Sequence, residues 1–204
     1  MRVIAIDGPA GSGKSTVAKA LAARLGLEYL DTGAMYRSVT FAALGRGIDP
    51  ADDEAVAALA PTLAIEVTGR VSVDGEDATA AIRGPEVTRA VSAVAANPAV
   101  RAELVRRQRA WVAERGGGVL EGRDIGTVVF PDAELKVYLI ADVGERLRRR
   151  AVEAGEDVAR DIARRDRVDS SRAVSPLHAA DDAIVIDTTG RDVDDIVEEV
   201  LNKL

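Results

Sequence analysis

Gly8-Pro9-Ala10-Gly11-Ser12-Gly13-Lys14-Ser15 begins two residues after the apolar run Val3-Ile4-Ala5-Ile6. It has the form G-x-x-x-x-G-K-[S/T], in which glycines let successive backbone N–H groups converge on phosphate oxygens and a helix start adds its positive dipole end. The setting predicts strand, loop, helix: Val17, Leu21 and Leu25 recur at helical spacing, and Gly26 follows as a C-cap. Lys14 would reach the β- and γ-phosphates, and Ser15 would offer its hydroxyl to Mg²⁺. A glycine-rich turn that only joins a strand to a helix explains one or two glycines, but not Gly13-Lys14-Ser15 together. Gly8 to Thr16 is therefore expected to hold the phosphates of ATP or a similar triphosphate.

Apolar runs recur outward from this loop at Leu27–Leu30, Val119–Leu120, Leu135–Ala141 and Ala183–Ile186, with helical patterns between them. This alternation predicts an α/β fold, a five-stranded parallel sheet flanked by helices. Val193, Ile196, Val197, Val200 and Leu204 predict a docked C-terminal helix. One stretch breaks the rhythm. From Leu63 to Ile82 the apolar period becomes two (Ile65, Val67; Val71, Val73), with turn signals at Thr68-Gly69 and Asp74-Gly75. That reads as a small antiparallel insertion, either functional or a peripheral hairpin.

The chain has 204 residues and a formal net charge of −7, which argues against a general nucleic-acid or membrane-surface binder. It has no cysteine and one histidine, His178, so disulfides, thiolate chemistry and His- or Cys-based metal clusters are excluded. No apolar run approaches the ~20 residues that span a bilayer. The first strand leads directly into the phosphate loop, with no leader pattern before it. A cytoplasmic protein is expected, and no apolar face compels it to be anything but a monomer.

A phosphate loop alone fits switches, motors and kinases. The Asn-Lys-x-Asp quartet of guanine-nucleotide switches is missing, and one histidine cannot build a Ser/His/Asp triad. Residues 146–172 hold nine arginines among six acids. Part of that set reads as helix-surface ion pairs such as Asp161–Arg165. The remainder suits a lid whose arginines offset charge on a transferring phosphoryl group while water is excluded. An ATP-dependent kinase of a small acceptor is the leading reading. A kinase of another monophosphate or of shikimate, and a regulatory ATP switch, are the rivals.

Four more segments carry a family resemblance. These are Asp31-Thr32-Gly33-Ala34-Met35-Tyr36-Arg37; Ser92 to Ala96 leading into Asn97-Pro98-Ala99-Val100-Arg101; Glu121-Gly122-Arg123-Asp124-Ile125-Gly126-Thr127-Val128-Val129-Phe130-Pro131-Asp132-Ala133; and Arg164 to Leu177. With the phosphate loop, in order over essentially the whole chain, they resemble the bacterial cytidylate kinases. The resemblance implies a P-loop kinase unit spanning 1–204, with 62–84 as the antiparallel part of a monophosphate-binding insertion and 146–172 as the lid. It implies transfer of phosphate from ATP to CMP or dCMP with Mg²⁺. It assigns the acceptor phosphate to Arg37, Arg123 and Arg172, the cytosine to Ser92, Arg101 and Asp124, and the sugar to Arg165 and Asp169. Thr32 lies near the acceptor, with Tyr36 beside it. Lys14, Arg123 and Arg172 are the expected catalytic groups. The acceptor phosphate, with a second pKa near 6, is already a nucleophile at neutral pH, so no general base is required.

Overall fold

The computed structural model describes residues 1–154, 162–172 and 174–204, without the side chains of residues 150, 153, 154, 162–165 and 167. Five strands, β1 (Arg2–Asp7), β2 (Tyr29–Asp31), β6 (Gly117–Glu121), β7 (Leu135–Ile140) and β8 (Ile184–Asp187), form a parallel sheet in the order β2-β6-β1-β7-β8. The expected strands are all present. β1 lies at the centre, and Val3 to Ile6 are buried on both faces, as a strand covered by helices requires. One face packs on α1 (Lys14–Leu25) and α8 (Val193–Leu201). Val17, Leu21, Ile196, Val197 and Val200 there meet Ile4, Ile6, Val119, Val137 and Leu139. Each such aliphatic side chain contributes about 1.5–3 kcal/mol on burial. Gly26 closes α1 in the left-handed conformation, its N–H bonded to Ala22 and Ala23 carbonyls.

The chain divides into two compact units, Met1–Leu30 with Arg109–Leu204, and Asp31–Gln108. The second contains α2 (Thr32–Gly45), α3 (Asp53–Leu59), α4 (Pro85–Ala96), the start of α5 (Pro98–Arg115), and the antiparallel sheet β3 (Ile65–Thr68), β4 (Arg70–Val73) and β5 (Glu76–Asp77). Ile65 pairs with Val73 and Val67 with Val71, so the period of two falls on one face. Asp74 and Gly75 both have positive φ, the two-residue turn anticipated from Asp-Gly.

Two helices, α6 (Val143–Ala154) and α7 (Ile162–Ser171), fall in the arginine-rich stretch. After β6 the chain makes a five-residue π-helical turn over Ile125–Val129. Val129 N–H bonds to the Asp124 carbonyl at 3.2 Å and Phe130 N–H to that of Ile125 at 2.7 Å, each five residues back. That turn was not legible in the sequence.

Candidate active site

β1 delivers the chain to Gly8, where φ is +146° and an added Cβ would overlap the Leu139 carbonyl. Only glycine fits there. Gly13, at φ +86°, is the N-cap of α1 and supplies no side-chain cap, the geometry in which a helix start takes an anion. Lys14 is buried, and its Nζ donates to the Pro9 carbonyl at 2.7 Å, so its charge lies along the loop. Ser15 Oγ donates to Glu121 Oε2 at 2.9 Å, and the Tyr29 hydroxyl donates to Glu121 Oε1. A hydroxyl and a carboxylate are hard oxygen donors that fit Mg²⁺, an ion that takes few protein ligands beside water and substrate phosphates.

Residues of the arginine-rich stretch hold this loop. Arg146 on α6 is buried, donates to the Ala10 carbonyl at 3.1 Å and pairs with Asp166, whose other oxygen accepts from Ala10 N–H. Arg149 donates to the Thr188 hydroxyl at 3.0 Å and carbonyl at 2.8 Å, while that hydroxyl donates to the Ser12 carbonyl at 3.0 Å. Arg148 is two-thirds exposed and pairs with Glu145 three residues away, an ordinary helix-surface contact. The side chains of Arg150 and Arg165, and the Asp161–Arg165 pair, lie outside the described residues.

In the same unit Asp169, buried at the end of α7, bridges two of the predicted arginines. Its Oδ2 accepts from Arg123 Nε at 3.0 Å, and its Oδ1 pairs with Arg172. Burial pulls the Arg123 pKa down, but the charge and hydrogen bond of Asp169, with Asp166 and Glu121 beyond, outweigh it and the net shift is upward. Arg123 is therefore a permanent cation. Asp124 is buried beside it at the mouth of the π-helical turn.

The other unit gathers Thr32, Tyr36, Arg37, Ser92 and Arg101, all buried. Asp31 caps α2 by accepting from Ala34 N–H at 2.9 Å. Arg37 projects from α2 to the Thr88 hydroxyl at 3.1 Å and the Ile82 carbonyl at 3.4 Å. Thr88 and Ser92 are one helical turn apart on α4. Arg101 donates to the Ala95 carbonyl at 3.1 Å and lies 5.5 Å from the Tyr36 ring centroid. So the base-reading and phosphate-reading candidates of this unit share the packing of α2, α4 and the start of α5.

This arrangement has the parts of a phosphoryl-transfer site, and the comparisons say of which lineage. Residues 4–204 match the sequence model of the family described as Cytidylate kinase. The chain belongs to the cytidylate kinase family. It is 51% identical over 211 residues to the cytidylate kinase of Geobacillus kaustophilus, covering 97% of this chain and 94% of that protein. A bifunctional pantoate ligase/cytidylate kinase of a Synechococcus strain is 55% identical over 202 residues, covering 91% of this chain but 37% of that protein. The chain thus spans well under half the length of such bifunctional relatives. Among solved structures, TT1252 from Thermus thermophilus aligns with all of this chain and 97% of its own, with TM-score 0.54 and 25% identity. A gluconokinase from Sinorhizobium meliloti, 14% identical with TM-score 0.53 over 98% of this chain and 90% of its own, shares the fold alone.

Three residues of this cytidylate kinase family member were missed from sequence: Asp7, Thr88 and the Tyr29 that holds Glu121. Asp7 gave a signal, an acid ending a strand that is otherwise buried and apolar. Thr88 and Tyr29 gave none, because a threonine in a helix and a tyrosine in a strand have ordinary packing roles. Two arginines of α5 are tied to backbone carbonyls. Arg107 donates to carbonyls of Ala60, Pro61 and Leu63, and Arg109 to those of Val128 and Val129. Trp111 packs on Gly118 of β6 with Arg115 over its ring, and its role is packing. His178 is exposed. Among the described residues no helix is long and apolar enough to cross a membrane.

Proposed function

We propose that this chain transfers the γ-phosphoryl group of ATP to CMP or dCMP, giving CDP or dCDP and ADP. The observation that carries this is the family match across residues 4–204, with about half of all positions identical to a relative named cytidylate kinase that the chain covers almost end to end. The phosphate loop, Gly8 to Thr16, takes ATP. Lys14 bridges its β- and γ-phosphates, and Ser15, with Glu121 bonded to it, is the protein's hold on Mg²⁺. The ion, when bound, neutralises charge on the phosphates.

The acceptor is itself an anion, so these residues have charge to compensate and atoms to align, with no proton to remove. Arg123 and Arg172, joined through Asp169, and Arg37 of the other unit bind the acceptor phosphate. Asp169 and Arg165 meet the sugar, and Thr32 serves the acceptor. Asp124 accepts from the cytosine N4 amino group, and Ser92 with Arg101 serves its ring acceptors. The chain acts as a monomer in the cytoplasm. ADP formation with ATP, Mg²⁺ and each monophosphate in turn tests the reading. CMP and dCMP react fast, UMP much more slowly, and AMP and GMP at background. Faster turnover with AMP, or ATP hydrolysis without an acceptor as the main activity, overturns it.

A further inference from the structure

Asp7 has no part in the scheme above, yet it is a buried carboxylate with both oxygens committed. It ends β1, immediately before the phosphate loop, and is 5% exposed. Its Oδ1 accepts from Ile125 N–H at 2.9 Å and its Oδ2 from Gly126 N–H at 2.8 Å. Those are the first two amides of the π-helical turn, donors with no partner inside the turn. A side chain lying 118 residues earlier in the chain thus caps the segment whose preceding residues are Arg123 and Asp124.

We propose that Asp7 is a positioning residue for the acceptor nucleotide, acting through the turn it caps to set Arg123 against the acceptor phosphate and Asp124 against the base. The inference rests on the cytidylate kinase reading. The geometry explains why an acid stands there. A carboxylate offers acceptors only, in a fork that meets two adjacent N–H groups, whereas an amide of the same shape would turn a donor toward one of them. The turn also needs an external brace. A single π-helical turn has few hydrogen bonds of its own, and Gly126 within it packs against the Lys136 stem.

The brace depends on charge. Burial pushes the Asp7 carboxyl up to about 6, with Asp124 adding to the rise and the two backbone donors and Lys14 opposing it. Tyr138, its neighbour across the sheet on β7, is the further titratable group facing it. A protonated Asp7 keeps one good acceptor oxygen and loses hold of one amide. The acceptor site should therefore loosen as pH falls through about 6, with ATP binding much less affected.

The test pairs Asp7→Asn with the wild type. The variant should raise KM for CMP ~10-fold or more and narrow the CMP/UMP preference, since a misplacement near 1 Å costs up to ~10² in rate, while KM for ATP changes little. The phosphate of CMP also titrates near pH 6, but it does so for both proteins. The ratio of their kcat/KM values therefore isolates Asp7, and should converge toward one as pH falls from 7.5 to 5. A second measurement needs no variant and no activity: hydrogen exchange of the wild type. The protection factors of Ile125 and Gly126 should drop between pH 7.5 and 5 while those of β6 hold. Equal KM values for CMP in both proteins, or protection of the two amides that ignores pH, overturns the proposal. A wild type inactive on CMP but with pH-sensitive amides instead overturns the substrate reading and leaves the brace standing.

Discussion

The two units hold their charged groups by different means. In the parallel-sheet unit the phosphate loop is made of backbone: glycines at forced angles, a helix start and carbonyls that fix Lys14 and Arg146. In the unit Asp31–Gln108 two of the buried cations lean on side chains as well as carbonyls, Arg37 on a threonine hydroxyl and a carbonyl, Arg101 on a carbonyl and a tyrosine face. Backbone cradles recognise phosphate, which every nucleotide carries, and hardly depend on side-chain identity beyond glycine and lysine. Side-chain contacts can be exchanged one at a time, which suits the part of a site that chooses among bases. The difference predicts that substitutions in the phosphate loop reduce turnover with every acceptor, and those at the arginine contacts of the second unit change affinity for the monophosphate.

Lys14→Ala should give the largest effect. Its ammonium is the cation of the phosphate loop, and charge-stabilising groups at a transferring phosphoryl contribute ~10³ or more in rate. Turnover should fall by that order with CMP and UMP alike. The melting temperature should barely move, because Lys14 packs on the loop carbonyl and not in the aliphatic core. Near-normal turnover would break the contrast at its root.

Asp124→Ala tests the one base-reading candidate that belongs to the phosphate-handling unit. Cytosine presents an amino donor where uracil presents an oxygen, and sites built on hydrogen bonds discriminate by up to ~10⁴ because the wrong base leaves buried polar groups unpaired. The CMP/UMP ratio of kcat/KM should collapse by ~10² or more, mostly through loss of CMP activity. If Asp124 only steadied its neighbour Arg123, both substrates would lose the same fraction and the ratio would stand.

Much of this was legible because the phosphate loop and the strand periodicity are local signals. Gly13-Lys14-Ser15 fixes both a backbone path and a chemistry, and the apolar runs at Val3–Ile6 and Leu135–Ala141 report a sheet covered on both faces. The Asp74-Gly75 turn was equally plain, since two positive φ values leave few residue choices. What escaped is non-local. The π-helical turn depends on a carboxylate from β1, and the hold on Arg37 depends on a threonine 51 residues later in the chain. Neither contact leaves a periodicity. The roles proposed for Arg123 and Arg172 come only from the family's motifs, because an arginine count cannot separate an ion-paired helix surface from a phosphate site.

Asp7 links stability to the contrast. Its carboxyl titrates near 6 in the folded chain against an ordinary 3.8, chiefly because burial disfavours the charged form. The folded state then binds the proton more tightly. The stabilisation that gives is complete below pH 3.8 and is lost as pH rises through about 6. Wild-type stability should therefore fall, relative to Asp7→Asn, by about 2–3 kcal/mol between pH 4 and 7. Thermal melts of the two proteins across that range check the sign. A difference independent of pH would mean that Asp7 is not titrating there.

Thr88→Val should give the smallest effect, and confine it to the monophosphate. The substitution keeps the shape of a fully buried side chain and removes only the hydroxyl that accepts from Arg37 Nη1 at 3.1 Å. Arg37 keeps the Ile82 carbonyl, a longer contact at 3.4 Å, so its guanidinium loses its better anchor without being left bare. A hydrogen bond to a charged group is worth about 1.5–3 kcal/mol, and the acceptor phosphate can restore part of it by drawing the guanidinium to itself. KM for CMP should rise roughly tenfold, the lower end of that range, with kcat and KM for ATP almost unchanged. UMP should suffer in proportion, because a phosphate-reading arginine does not see the base. Thr88→Ser, which keeps the hydroxyl, should restore most of the affinity despite losing a methyl group. A Thr88→Val enzyme that lost kcat on both substrates would show that Arg37 acts on the reacting phosphoryl group. The division between a loop for turnover and a unit for selection would then have to be redrawn.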